Sequence, residues 1–216
     1  PLVKSEKLTL AAGRRSIVLM ERAGPTATLR AADGTRATFA NELLGSETAL
    51  FAFRDGARFP ELDIVRRALA DWRFHHGFRT DRDAALRRPA LALTTPTLAP
   101  DGSDLAAVFA TLSEVRVDTH ALDEAVADSF PGARLEIGVD GATARFAMRF
   151  PDLPRAFSAH ELSDGTLNYL ALMGALLSYR LPAFVALNEP EASLHPDLLE
   201  PLARVVARPL RGGALR

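Results

Sequence analysis

The sequence predicts an α/β protein, and three observations predict it. Apolar residues recur with period two over the first forty residues, then with the helical period from about Asn41. A wholly apolar run at residues 183–187 follows a long apolar helix, the pattern of a strand buried in a parallel sheet.

The first forty residues read as an antiparallel β meander. Lys7-Leu8-Thr9-Leu10 alternates, and residues 15–20 carry Ile17, Val18 and Leu19. Residues 27–31 and 36–39 flank Asp33-Gly34, a pair that favours the positive φ of a tight hairpin turn. Pro60 opens a helix reaching Trp72, with Leu62, Val65 and Leu69 on one face. Residues 73–89 are basic and irregular. After Asp101-Gly102-Ser103, the spacing of Leu105, Val108, Phe109 and Leu112 predicts another helix. Leu122, Ala125 and Val126 place a third over residues 120–129. Pro131-Gly132 breaks the pattern, and a hairpin follows: Leu135, Ile137 and Val139 alternate, Asp140-Gly141 turns, and Ala144, Phe146, Met148 and Phe150 alternate again. A helix begins after Ser163, with Leu167, Leu170, Ala171, Gly174 and Leu177 on one face. Pro182 ends the connection to the apolar strand at 183–187. Residues 196–207 are expected to be partly helical, with Pro201 removing one backbone donor.

A chain of 216 residues, 48% of them hydrophobic, fits one large domain or two small ones with a sizeable core. Its 27 acidic and 26 basic residues nearly cancel, so the net charge makes no case for nucleic acid or an anionic membrane. The absence of cysteine excludes disulfides and cysteine-based zinc sites and fits a cytoplasmic protein. No apolar run approaches the roughly 20 residues that span a bilayer, so no membrane partner is expected. The segment from Pro1 to Lys7 lacks the apolar core of a signal peptide. A start at Pro1, without Met, reads as part of a longer gene product.

The chemistry concentrates in residues 161–196. Glu161-Leu162-Ser163-Asp164-Gly165-Thr166 opens a helix, Asn188-Glu189-Pro190 ends the apolar strand, and Ser193-Leu194-His195-Pro196 follows. A helix N-terminus offers unpaired N–H groups and the positive end of a dipole. Gly165 lets backbone approach an anion and the Ser163 hydroxyl adds a donor, so this turn suits a terminal phosphate. Glu189 lies where α/β sheets place ligands, at the carboxyl end of a parallel strand, and its carboxylate can orient or deprotonate an attacking water.

These residues resemble the C-terminal half of an ABC-type ATPase head, of the RecF/SMC-like predicted AAA-family ATPases. Leu162-Ser163-Asp164-Gly165-Thr166 resembles the ABC signature, residues 184–189 the Walker B strand, and Ala192-Ser193-Leu194-His195-Pro196 the D-loop. The similarity reaches back through residues 101–107 and 72–81. The resemblance implies an α/β, P-loop NTPase-like ABC ATPase head, incomplete, with an N-terminal antiparallel β meander and an inserted helical lobe. Its parts would be a meander at 1–40, a helical lobe at 41–130, the hairpin, signature helix, Walker B strand and D-loop at 131–207, and a tail at 208–216. It further implies ATP and Mg²⁺ as cofactors and a homodimer that forms on ATP binding. Glu189 would be the catalytic residue for nucleotide in its own head. Ser163, Asp164 and Gly165 would touch nucleotide held by the partner, and Ser193 and His195 would lie near the dimer seam.

The sequence departs from that pattern in two places. No Gly-x-x-x-x-Gly-Lys-Ser/Thr phosphate loop (Walker A) occurs, and Gly13-Arg14-Arg15-Ser16 does not supply one. Asn188 stands where the family places an aspartate; it can accept a hydrogen bond from a magnesium-bound water but brings no charge, so it would serve the metal only indirectly and weakly. His120 precedes the signature and is not a switch histidine. Two other readings remain: a non-catalytic nucleotide-sensing or scaffold module, and a nucleic-acid-binding accessory domain using Arg73, Arg79, Arg82, Arg87 and Arg88 with interleaved aromatics. Adjacent His75 and His76 point apart in regular structure and do not read as a metal site.

Overall fold

The computed structural model describes residues 2–208. Residues 209–216 of the predicted tail lie outside them. The chain forms two compact units, 1–72 and 73–216.

In the first unit, β1 (Ser5–Ala12), β2 (Arg15–Ala23), β3 (Thr26–Arg30) and β4 (Arg36–Phe39) pair in sequence order as an antiparallel sheet. The short helix α1 (Ala49–Ala52) and α2 (Pro60–Ala70) follow. Alternation explains the buried face: Ala27 and Leu29 of β3 point into a core shared with Leu19, Met20, Phe59 and Leu62. Pro60 occupies the first helical turn, where its missing N–H costs nothing. The Asp33-Gly34 turn is longer than a two-residue hairpin. Ala31 N donates to Thr35 O at 2.8 Å, and Asp33 Oδ1 accepts from Thr35 N at 2.9 Å. A fully buried Arg22 is satisfied by Glu6 and by the carbonyls of Gly24, Leu44 and Glu47.

The second unit begins with β5 (Arg73–His75) and the two-residue strand β6 (Ala90–Leu91). α3 (Leu105–Ala110) continues into a wider π-helical stretch at Thr111–Arg116, and α4 (His120–Ser129) follows. The predicted hairpin is β7 (Arg134–Asp140) and β8 (Thr143–Arg149), with Asp140 opposite Thr143. Gly141 takes φ 57°, the positive value that a two-residue turn requires at its first central position. Strand β9 (Ala156–Ser158) and β6 share the other edge of β8. Next come α5 (Asp164–Leu177), β10 (Val185–Leu187) and α6 (Leu199–Val206). Ala144, Phe146 and Met148 face the core from β8, and Phe109 meets Phe146 edge-on at 5.3 Å. The predicted apolar stripe of α5 is wider than one face. Tyr169, Leu172, Met173 and Ala175 are also buried, the mark of a helix surrounded by its own domain. Pro201 lies in the first turn of α6, so the donor it lacks is not missed.

Three expectations change in this unit. Residues 41–130 were expected to form one helical lobe. They divide at Trp72, since α2 packs with the meander's core while α3 and α4 pack on the β7–β8 hairpin and α5. The basic stretch 73–89 is not all irregular, because β5 pairs in parallel with β10, Val185 to Arg73 and Leu187 to His75. The apolar strand is parallel as expected but only half-buried, and its sheet has two strands among the described residues. No helix among the described residues is long and apolar enough to cross a membrane.

Candidate functional site

Parallel pairing brings the carboxyl ends of β5 and β10 side by side, although about 110 residues separate them in the chain. Asn188 N donates to His75 O at 3.0 Å and extends the ladder one step beyond β10. There the chain turns. Glu189 takes φ 45°, Ala192 N donates back to Glu189 O at 2.9 Å, and Ser193 takes φ 64°. Two non-glycine residues in left-handed conformation within five positions is a costly arrangement of the kind that collects at functional sites.

The turn borders an open cleft with about 120 Å³ of room, lined by His75, His76, Thr80, Asn168, Asn188 and Glu189 among others. Asn188 and Glu189 are both exposed there. Pockets that enclose a drug-sized ligand run to roughly 300–1,000 Å³. This cleft therefore has space for a terminal phosphate and an attacking water, and the rest of a nucleotide must be held by other residues. His75 forms the buried floor. Burial pushes its imidazole below the ordinary histidine range, opposed by its contact with the Pro100 carbonyl at 3.2 Å. A neutral ring that donates from Nδ1 to that carbonyl leaves Nε2 as an acceptor. His76, the residue after β5, is exposed. No group of three or more metal-ligating side chains occurs among the described residues. Asn188 beside Glu189 fits only a water-mediated contact to Mg²⁺, an ion that keeps several waters and takes its remaining ligands from phosphate.

The residues expected to act as a signature, Ser163, Asp164 and Gly165, lie at the N-terminus of α5. Ser163 is the N-cap, its Oγ accepting from Thr166 N at 3.1 Å and lying 2.8 Å from Thr166 Oγ1. When Thr166 supplies the hydroxyl proton, Ser163 keeps its own to donate outward. Gly165 has structural as well as chemical grounds: a Cβ there would stand 3.0 Å from Ser193 O. Asn168 Nδ2 donates to Ala192 O at 2.9 Å. The first turns of α5 and the loop at residues 192–193 are thus packed on one another within a single chain. Glu161 is an anchor of the preceding turn. Its carboxylate accepts from Ser158 N at 3.1 Å and Ser158 Oγ at 3.0 Å, and Arg155 forks onto it at 2.7 and 3.0 Å. Those contacts, Arg155 foremost, hold its carboxyl down at about 2.

The other site residues fall as follows. His195 caps the turn into Pro196–Leu198, its Nδ1 accepting from Asp197 N at 3.3 Å. The Asp164 carboxylate is paired with Arg87 at 2.6 Å. Sequence reasoning missed Arg87, reading it as one of a basic run. Its guanidinium is instead turned inward on the segment that leads into α5. Of its neighbours, Arg79 forks onto Asp81 and Arg88 donates to the Asp83 carbonyl.

No curated protein and no solved structure matches this chain. A family model described as "AAA domain, putative AbiEii toxin, Type IV TA system" matches residues 35–214. Nucleotide binding and hydrolysis are the general business of such domains, and their P-loop NTPase α/β fold agrees with the mixed sheets and helices found here. The match takes in both the cleft and the N-terminus of α5, and on it the chain belongs to this family of P-loop AAA-type ATPases.

Proposed function

We propose that this chain is the catalytic-glutamate and signature half of an ABC-type ATPase head that dimerises on ATP. The observation that carries the reading is the position of Glu189: an exposed carboxylate at the tip of a parallel strand, lining a cleft sized for a terminal phosphate and its water. In this reading Glu189 accepts a proton from the attacking water and aims it at the γ-phosphorus. Asn188 would accept a hydrogen bond from a water of Mg²⁺ bound with the nucleotide. Mg²⁺, when bound with ATP, neutralises charge developing on the phosphate oxygens. Ser163 and Gly165 present a hydroxyl and backbone N–H groups to the γ-phosphate of nucleotide in the partner's cleft. Because Gly165 packs against Ser193 O, and Ser193 belongs to the loop that begins at Glu189, a protomer's own cleft and its signature turn share one rigid contact. Hydrolysis removes the γ-phosphate that joins the two heads, so ADP favours their separation.

The test is made on the full-length gene product. Wild type is expected to hydrolyse ATP and to dimerise with it. Glu189→Gln is expected to lose turnover by about 10²- to 10⁴-fold, the usual contribution of a positioned base, while still dimerising with ATP. Turnover absent from wild type as well, with nucleotide still bound, would favour the non-catalytic sensing or scaffold reading. The nucleic-acid reading draws no support from Arg79, Arg87 or Arg88, whose guanidinium groups are engaged within the chain.

A further inference from the structure

Arg87 ends a short 3-10 turn, Ala85–Arg87, and its side chain is only 8% exposed. All its side-chain acceptors come from two segments. Nε donates to Thr80 O at 2.9 Å and Asp81 O at 3.1 Å. Nη1 donates to Ala159 O at 3.2 Å, His160 O at 3.1 Å and Leu162 O at 2.8 Å. Nη2 donates to Asp164 Oδ1 at 2.6 Å. Thr80 lines the cleft that holds Glu189, and residues 159–164 lead directly into the signature helix. One planar group therefore ties the cleft wall to the turn that would meet the partner's nucleotide.

The charge matters as much as the geometry. Asp164 is the first residue of α5, and its side chain is 63% exposed beside Ser163 and Gly165. A carboxylate at a helix N-terminus competes with an incoming phosphate for the same N–H groups and repels it. A bare Asp164 would oppose the closure that the signature is meant to make. The charge-assisted bond from Arg87 offsets that repulsion and holds the carboxylate to one side.

We propose that Arg87 is the positioning residue of the signature: it fixes residues 159–164 against the cleft wall and neutralises Asp164, so that Ser163 and Gly165 can close on a phosphate anion. This role rests on the dimerising-head reading above. A lysine could supply the charge but not reach six acceptors from one rigid plane, as Arg87 does by sharing N–H groups between neighbouring carbonyls, so the fork shape is part of the requirement.

The experiment compares Arg87→Gln, Asp164→Asn and the double variant in the full-length gene product, reading ATP-dependent dimerisation by sedimentation and ATP binding to the separate protomer. Arg87→Gln is expected to weaken dimerisation by about 10- to 100-fold, the value of a hydrogen bond to a charged group. Protomer ATP binding should fall by less than dimerisation does, because Arg87 bonds to the Thr80 side of the cleft and not to Asn188 or Glu189. The double variant is expected to recover part of the loss, the share due to the Asp164 charge, because the contacts of Arg87 to the carbonyls of residues 159–162 are not restored. A purely structural arginine would give no recovery, and that result overturns the proposal. So does an Arg87→Gln protein that dimerises normally. Should Arg87→Gln fail to fold, Asp164→Asn decides alone. Its effect should be under about threefold, because Arg87 already cancels the carboxylate, and a tenfold gain would show that it does not. Wild type that binds ATP without dimerising overturns the head reading itself, and is recognised because the unaltered protein fails.

Discussion

The left-handed backbone at Glu189 makes a stability prediction that can be separated from activity. With φ 45°, this residue holds a conformation that costs an L-amino acid about 1–2 kcal/mol over a right-handed one. Its neighbours keep it there: Asn188 N is bonded to His75 O, and Ala192 N closes back on Glu189 O. Glu189→Gly removes the Cβ that makes φ 45° costly, but it frees the unfolded chain by roughly 0.4–1 kcal/mol. The balance is a gain of about 0.8 kcal/mol over Glu189→Gln, which loses the same charge and keeps the strain. With a urea slope of about 1–3 kcal/mol/M, the unfolding midpoint of the glycine variant should stand roughly 0.3–0.8 M above that of the glutamine variant. Urea titrations followed by far-UV circular dichroism, on two proteins both inactive as ATPases, read the difference. A glutamine variant as stable as the glycine variant, or more so, would refute the claim that backbone strain is stored at Glu189.

Other outcomes follow from the same geometry. Gly102→Ala places a Cβ 2.8 Å from Leu86 Cδ2 and 3.0 Å from Phe78 Cδ1 at φ 71°. Strain and overpacking together should cost about 2–5 kcal/mol, a drop in melting temperature on the order of 10 °C by calorimetry. Gly165→Ala should leave stability nearly unchanged, because about 1 kcal/mol of helix propensity opposes the 3.0 Å approach to Ser193 O. The displaced loop at Ser193 should nonetheless lower ATP turnover by about tenfold, and a fully active variant would show that this packing does not matter to chemistry. Glu161, held near a pKa of about 2, binds its proton less readily folded than unfolded. Its contribution is complete above the ordinary glutamate value and is lost as pH falls from there to about 2. Carbon-detected NMR of the Glu161 carboxyl should show that low midpoint, and Arg155→Met should move it upward.

Local features of the site were readable in the sequence, and non-local ones were not. Ser163 as a helix N-cap is a matter of a few neighbouring residues, so the start of α5 follows from the chain alone. The β7–β8 hairpin is likewise fixed by alternation and by Asp140-Gly141. Strand β10 is visible as an apolar run, but its partner β5 is three residues, Arg-Phe-His, with no period to recognise. The half-burial of β10 depends on how many strands lie beside it, which its own residues do not encode. Arg87 was invisible for the same reason. Its acceptors lie at residues 80–81 and 159–164, and only the folded chain brings them around one guanidinium. A fully buried Arg22 in the first unit makes the same point, since arginine is ordinarily read as surface.

The central claim is that hydrolysis needs Glu189 of one protomer and the signature turn of another, and subunit complementation tests it most directly. Two inactive full-length proteins are prepared, one carrying Ser163→Arg to block the signature and one carrying Glu189→Gln. Mixed in equal amounts, half of the dimers are hybrids, each with one site that combines an intact Glu189 with an intact signature turn. The account predicts that the mixture regains roughly a quarter of wild-type ATPase activity, the value for one working site in half of the two-fold dimers. Hybrid dimers that form and remain as inactive as either parent would contradict it, placing both functions on the same protomer or the signature outside the reaction.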